Sequence, residues 1–264
     1  MTTDTAEGTG IGNLGKYRFL LGQLVVREIK LKYKRSVLGI VWSVLNPLLM
    51  MTIMGVVFSH MFRADIPNYL VFYLAGFLPY SFLQEATNGS LTAIIGNTGL
   101  LTKVYVPKYI FPVAKTAVAL VNMGFAFIAF TAIAAITGVH ASLALLVVPV
   151  IFLGLAMFVL GLGLIFSTVA VFFRDMIHFH SILMMMWMYL TPIFYPASII
   201  PARFRWVIDA NPLYLYIQSF RMVVLNGAFP SGPRLLACLA VGALILWLGY
   251  VVFRNNEDRF VLHF

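Results

Sequence analysis

Between Lys115 and Arg174 lie 58 consecutive residues without one Asp, Glu, Lys or Arg. A soluble fold has to turn some of any long segment toward water, so a run of this kind restricts the chain to a bilayer. Inside hydrocarbon every backbone polar group must be bonded internally, which leaves helices or closed barrels. One helical crossing takes about 20 apolar residues. The run is too long for one crossing, and TGVHAS at 137–142 is its natural turn. Two membrane helices are therefore expected, at 112–137 and 143–173. Composition agrees: 61% of the chain is hydrophobic and 10% charged, against about 25% charged in ordinary globular domains. The expected class is an all-α integral membrane protein.

The remaining spans follow from the same rule. Residues 37–62 carry none of these four charged residues, RADIPN at 63–68 is a polar turn, and 69–95 holds one charge, Glu85. A loop with two lysines and a proline occupies 96–111. Arg174 and Asp175 precede a span at 176–195, and 235–253 closes the set before Arg254. Six spans put both termini on one side. With the amino terminus inside, 13 of the 18 Lys and Arg residues are inside too, and the positive-inside rule then places both ends in the cytoplasm.

Residues 196–233 are too long for an ordinary loop and too apolar for a solvated one. Pro192, Pro196 and Pro201 prevent a straight continuation of the fifth span, and Asn211-Pro212 suits a helix cap followed by its first residue. Arg203, Arg205, Asp209 and Arg221 interrupt any further span. A re-entrant outer helical hairpin is expected here.

Charge at the amino-terminal side is concentrated in REIKLKYKR at 27–35. Drawn as a helix, 14–36 places Lys16, Arg27, Lys30 and Lys34 within about 60° of one another, with Leu14, Tyr17, Leu21, Leu24 and Val25 on another face. This is an amphipathic interface helix with its cations toward headgroups, although Arg18 and Lys32 fall toward the apolar side. Two roles are open for Arg27, Lys30, Lys34 and Arg35: anchoring the amino terminus, or recognising a lipid phosphate. Residues 1–13 are polar, lack the pattern of a signal peptide and are expected to be a disordered leader. The net charge of +9 fits basic loops beside anionic lipid rather than nucleic acid. The lone Cys238 excludes an intrachain disulfide.

Other motifs carry less. GIGNLGK at 10–16 matches the start of a phosphate loop, but no strand precedes it and Tyr17 stands where Ser or Thr would reach magnesium. His178 and His180 diverge by about 200° on a helix and form no joint metal site. No nucleophile–base grouping points to catalysis. Glu85 either faces a cavity or lies at the cytoplasmic interface. The aromatics Phe77, Tyr80, Phe82, Trp187, Tyr189 and Tyr195 either line a route along which a sugar slides or pack the bundle.

KYKRSVLGIVWSVLNP at 32–47, through Tyr33, Ser36, Leu38, Gly39, Trp42 and Pro47, resembles the opening of the first span in permeases of type-2 ABC exporters for polysaccharides, in the O-antigen, capsule and teichoic acid branch. The layout of spans and hairpin agrees over nearly the whole chain. The resemblance implies a homodimeric channel in the bacterial cytoplasmic (inner) membrane, with two copies of a separate P-loop ATPase docked beneath. ATP and magnesium would sit on that partner, so this chain would hold no cofactor or metal and would not be an enzyme. A coupling helix would lie at 97–104, with Asn97, Thr98, Leu100, Leu101 and Lys103, and Arg174 and Asp175 would form a second contact. The hairpin, with Arg203, Arg205 and Arg221, would be the outer gate. The amino-terminal helix would help admit a lipid-linked glycan. Two other readings share features with this one: a type-2 permease for a drug or smaller lipid, and a membrane-embedded sugar transferase. The second needs grouped acids, whereas Asp65, Glu85, Asp175 and Asp209 are isolated.

Overall fold

The computed structural model describes residues 14–34, 42, 45, 49, 52–53, 57, 66, 68–101, 106–139 and 142–263. The leader, most of the expected first span, Arg35 and Lys103 lie outside the described residues. Among those residues there is no strand. The helices are α1 (Leu14–Tyr33), α2 (Tyr69–Leu91), α3 (Thr98–Leu101), α4 (Ile110–Ile136), α5 (Val148–Phe172), α6 (Met176–Leu190), α7 (Arg205–Asp209), α8 (Pro212–Asn226) and α9 (Gly232–Asn256), with short 3-10 turns between several of them. Three described helical segments, Ile110–Ile136, Leu143–Phe172 and Gly232–Phe260, are long and apolar enough to cross a bilayer, and α6 is a shorter apolar helix.

Local chemistry fixes the breaks. After α4 the chain turns through Gly138 at φ 78°, a left-handed conformation that glycine adopts without Cβ strain. Ser142 then caps the following turn, accepting from the Ala144 amide at 3.2 Å. The same hydroxyl donates to the Gly227 carbonyl at 2.9 Å, which ties this turn to the end of α8. Pro212 opens α8, and the Asn211 side chain accepts from the Leu213 amide at 3.1 Å.

Contacts along the helices give their directions. Tyr80 lies beside Met184 and Thr87 beside His180, so α2 and α6 are antiparallel. Gly154 packs on Cys238 and Gly161 on Ile245, so α5 and α9 are parallel. One end of the bundle gathers Leu24 of α1, Ala93, Ile94, Tyr109, Ile110, Val171, Phe253 and Phe260. The opposite end holds the break after α6, where Tyr69 donates to the Phe194 carbonyl at 2.7 Å.

The tightest pairing joins α5 to α9. Gly154 and Gly161 on one helix face Gly242 and Gly249 on the other, and every added Cβ at these positions would strike opposing backbone; at Gly154 it would fall 2.7 Å from the Cys238 oxygen. In lipid, helices gain nothing from leaving water, so close backbone approach through small residues supplies the packing instead. An aromatic group of Phe127, Phe130, Phe152 and Phe220, with centroids 5.2–6.1 Å apart, seats α8 against α4 and α5. Tyr216 anchors α8 further by donating to the Cys238 carbonyl at 2.8 Å.

Candidate functional site: two ends of a helical bundle

At one end, α1 lies against the bundle. Leu24 is buried, and Tyr17, Leu20, Leu21 and Val25 pack with it on Ala93, Ile94 and the start of α4. The opposite face of α1 carries Phe19, 76% exposed, and Val26, 46% exposed. The helix thus has two apolar faces, one turned to protein and one left open. Arg27 and Lys30 are exposed on α1, and Lys34 is exposed at the helix end.

Two ion pairs pin this helix. Lys32 Nζ donates to Glu85 Oε1 at 3.0 Å, and Asn122 Nδ2 donates to the same oxygen at 2.7 Å. Lys115 Nζ donates to Glu28 Oε2 at 2.8 Å. The first pair is about half exposed on both sides, so it contributes on the order of 0–1 kcal/mol by itself. Its geometric effect is larger: Glu85 of α2 is held by α1 and α4 together. Lys32, which helical projection puts near the apolar side of α1, finds its carboxylate there.

The same end collects the residues expected to meet an ATPase. Asn97 Nδ2 donates to the Ala93 carbonyl at 2.9 Å, closing its own turn. Leu100 and Leu101 of α3 pack on the cluster that includes Val171 and Phe172. Arg174 and Asp175 follow directly and are exposed. The 95–101 segment and the end of α5 thus belong to one cluster at this end of the bundle. Tyr109, beneath them, is buried, and that burial pushes its phenol above the ordinary value. Lys108 reaches from this loop to the Glu257 carbonyl, and Arg254 pairs with the Glu257 carboxylate, fastening the carboxy-terminal turn to the same end.

At the other end the three expected gate arginines separate. Arg203 is exposed, its guanidinium 4.7 Å from the Phe204 ring centroid. Arg205 is exposed on α7. Arg221 is only 8% exposed. Its Nε donates to the Phe72 carbonyl at 3.1 Å, Nη1 to Pro192 at 2.6 Å and Nη2 to Ile193 at 3.0 Å. The group also lies 3.5 Å from the Phe72 ring centroid. The prolines that stop α6 strip carbonyls of their helical donors, and Arg221 replaces those donors. Asn211 braces the same break: its Oδ1 accepts from Trp187 Nε1 at 2.9 Å and its Nδ2 donates to Thr191 at 2.8 Å.

The aromatic set also divides. Tyr80 and Phe82 are buried within the chain, Tyr80 donating to the Met184 carbonyl at 3.1 Å. Phe77 is partly buried and stacks near Tyr73. Trp187 is committed to Asn211, while Tyr195 donates to the Tyr189 carbonyl at 2.7 Å. Tyr189 is 62% exposed and shares an open face of α6 with Phe179, Ile182 and Met186. His178 is exposed, whereas His180 is buried against Thr87 at 2.9 Å. Sequence reasoning passed over Asn122, the one amide in the first turns of a charge-free run, and did not pair Lys115 with Glu28.

A family model described as ABC-2 type transporter matches residues 20–225. The chain is 32% identical over 249 residues to an O-antigen export system permease protein RfbA of Klebsiella pneumoniae, covering 94% of this chain and 96% of that protein. It is 30% identical over 253 residues to an O-antigen export system permease protein RfbA of Myxococcus xanthus, covering 95% and 97%. It is 25% identical over 237 residues to the capsule polysaccharide export inner-membrane protein CtrC of Neisseria meningitidis, covering 88% and 89%.

Proposed function

The chain belongs to the ABC-2 type transporter family, and on that premise we propose that it is the channel-forming permease subunit of an ATP-driven exporter for a lipid-linked polysaccharide. The observation that carries this is similarity from end to end, over more than nine-tenths of both chains, to permeases named for O-antigen export. The cargo is of the O-antigen, capsule or teichoic acid kind. The membrane is the inner one, crossed six times with both termini in the cytoplasm. The clustering of α1 and Phe260 at one end of the bundle supports a common side for the termini.

Two copies of this chain enclose the route, and two copies of a P-loop ATPase bind ATP and magnesium and do the hydrolysis. Their docking surface comprises Asn97, Thr98, Leu100, Leu101 and Lys103 with Arg174 and Asp175; the packing of α3 near the end of α5 supports this reading. The exposed cations Arg27, Lys30 and Lys34 of α1 meet the lipid headgroup at the entrance, and Arg35, outside the described residues, is assigned the same role. The exposed face of α6 around Tyr189 lines the channel, and the hairpin bearing Arg203 and Arg205 forms the outer gate. Arg221 contributes to that gate by holding it together.

Depletion of the chain in its host tests the reading. Lipid-linked glycan accumulating on the cytoplasmic side and vanishing from the surface is the expected result. Unchanged surface glycan, with none trapped inside, refutes it.

A further inference from the structure

The hairpin end carries a half-open cavity of about 220 Å³ between the turn at Ala197–Ile199, α7 and the first turns of α8. Its floor is the buried side chain of Ile208, and its walls are Ser198, Arg205, Asp209, Tyr214 and Gln218. Arg205 and Asp209 are four residues apart on α7, a spacing that brings side chains together on a helix surface. Among the described residues they nevertheless form no ion pair, and neither they, Ser198 nor Tyr214 makes a side-chain hydrogen bond within the chain. Gln218 spends its oxygen on Arg234 at 3.4 Å, leaving its amide donor for the cavity.

Uncommitted donors and acceptors thus converge on one small space. Asp209 only accepts, Arg205 only donates, and the Ser198 and Tyr214 hydroxyls do both. A ligand that satisfies all of them must itself donate and accept at neighbouring atoms, as vicinal hydroxyls do. An anion would meet the Asp209 carboxylate, and a cation would meet Arg205. The volume lies below the roughly 300–1,000 Å³ of sites for drug-sized ligands and suits one sugar ring with its waters rather than a folded oligomer.

We propose that this cavity is a subsite for a single neutral sugar unit of the exported polysaccharide, bound as the glycan leaves through the outer hairpin. The proposal rests on the polysaccharide reading above. Binding is weak because the cavity is half open and its charged groups, Arg205 and Asp209, are exposed to water, so the ring is held for passage rather than storage.

The test uses the full chain in lipid nanodiscs, presented with neutral oligosaccharide released by mild acid from the host's own surface polysaccharide. A uronic-acid oligosaccharide of equal length serves as comparison. The neutral probe binds the wild type, and Asp209→Asn weakens it about tenfold or more, since a hydrogen bond to a charged group is lost. Tyr214→Phe weakens it about threefold, and melting temperatures of both variants stay at the wild-type value. Equal binding by wild type and variants, preference for the acidic probe, or no binding by a chain that still restores export to depleted cells each overturns the subsite. Failure of the chain to affect surface glycan at all overturns the functional reading instead, and is seen in the depletion assay without any binding measurement.

Discussion

Replacing Arg221 by Met keeps an unbranched stem in the same space and removes five N–H donors. The carbonyls of Pro192 and Ile193 then lose their partner, and that of Phe72, inside α2, loses its second donor, in a site where Arg221 is only 8% exposed. Each orphaned buried carbonyl costs about 1–3 kcal/mol, and the contact with the Phe72 ring adds on the order of 1–2 kcal/mol. Against this, removing a buried cation returns part of its desolvation cost, which runs to several kcal/mol. The net loss is about 2–4 kcal/mol. At roughly 2–4 °C per kcal/mol for a chain of this size, the melting temperature in detergent falls by about 4–16 °C. Arg221→Lys separates charge from shape. An ammonium retains the cation but cannot serve three carbonyls from a planar fork, so it melts nearer to Met than to Arg. Dispersity of the detergent-solubilised protein after heating, followed by size-exclusion, reads this directly. A Met variant that melts within about 1 °C of wild type shows that those carbonyls do not depend on the clamp.

Three further outcomes follow from the packing. Gly161→Ala puts a Cβ 2.6 Å from the Leu246 amide nitrogen and destabilises by about 1–3 kcal/mol, whereas Gly124→Ala meets nothing within 4 Å and is neutral or slightly stabilising; equal melting of the two variants contradicts the α5–α9 seam. Lys32→Glu loosens α1 from Glu85, increasing cleavage by protease within 14–34, and the reciprocal double variant Lys32→Glu with Glu85→Lys restores protection; no recovery in the double variant counts against the pair. Leu100→Pro, and Lys103→Glu, abolish export while the chain still inserts and the partner still hydrolyses ATP; normal export in both removes this loop from coupling.

The helical class was legible because it depends on what the chain lacks over long distances, and the transport family through the resemblance carried by KYKRSVLGIVWSVLNP at 32–47. Fifty-eight residues without a charged side chain have few places to go. Partnerships were harder to see. Arg221 reads in sequence as a charge interrupting an apolar hairpin, yet its acceptors are backbone carbonyls exposed by a helix break at Pro192, and carbonyls have no letter. Lys32 projects toward the apolar side of α1, and its partner is visible only once α2 brings Glu85 to it, 53 residues later. Helical projection gave α1 one apolar face, where the structure uses one face against protein and leaves Phe19 and Val26 on the other. Tyr80 and Phe82 looked equivalent to Tyr189 as route-lining aromatics, but burial within one chain distinguishes them, and that is a property of tertiary packing.

Export itself remains the sharpest measurement. Proteoliposomes carrying this chain, its ATPase partner and lipid-linked polysaccharide from the host are given ATP on the ATPase side, and glycan on the opposite face is counted with a membrane-impermeant lectin. The account predicts ATP-dependent appearance of glycan on that face, lost when this chain is omitted. Glycan that stays on its original side with both subunits present and ATP being hydrolysed contradicts it.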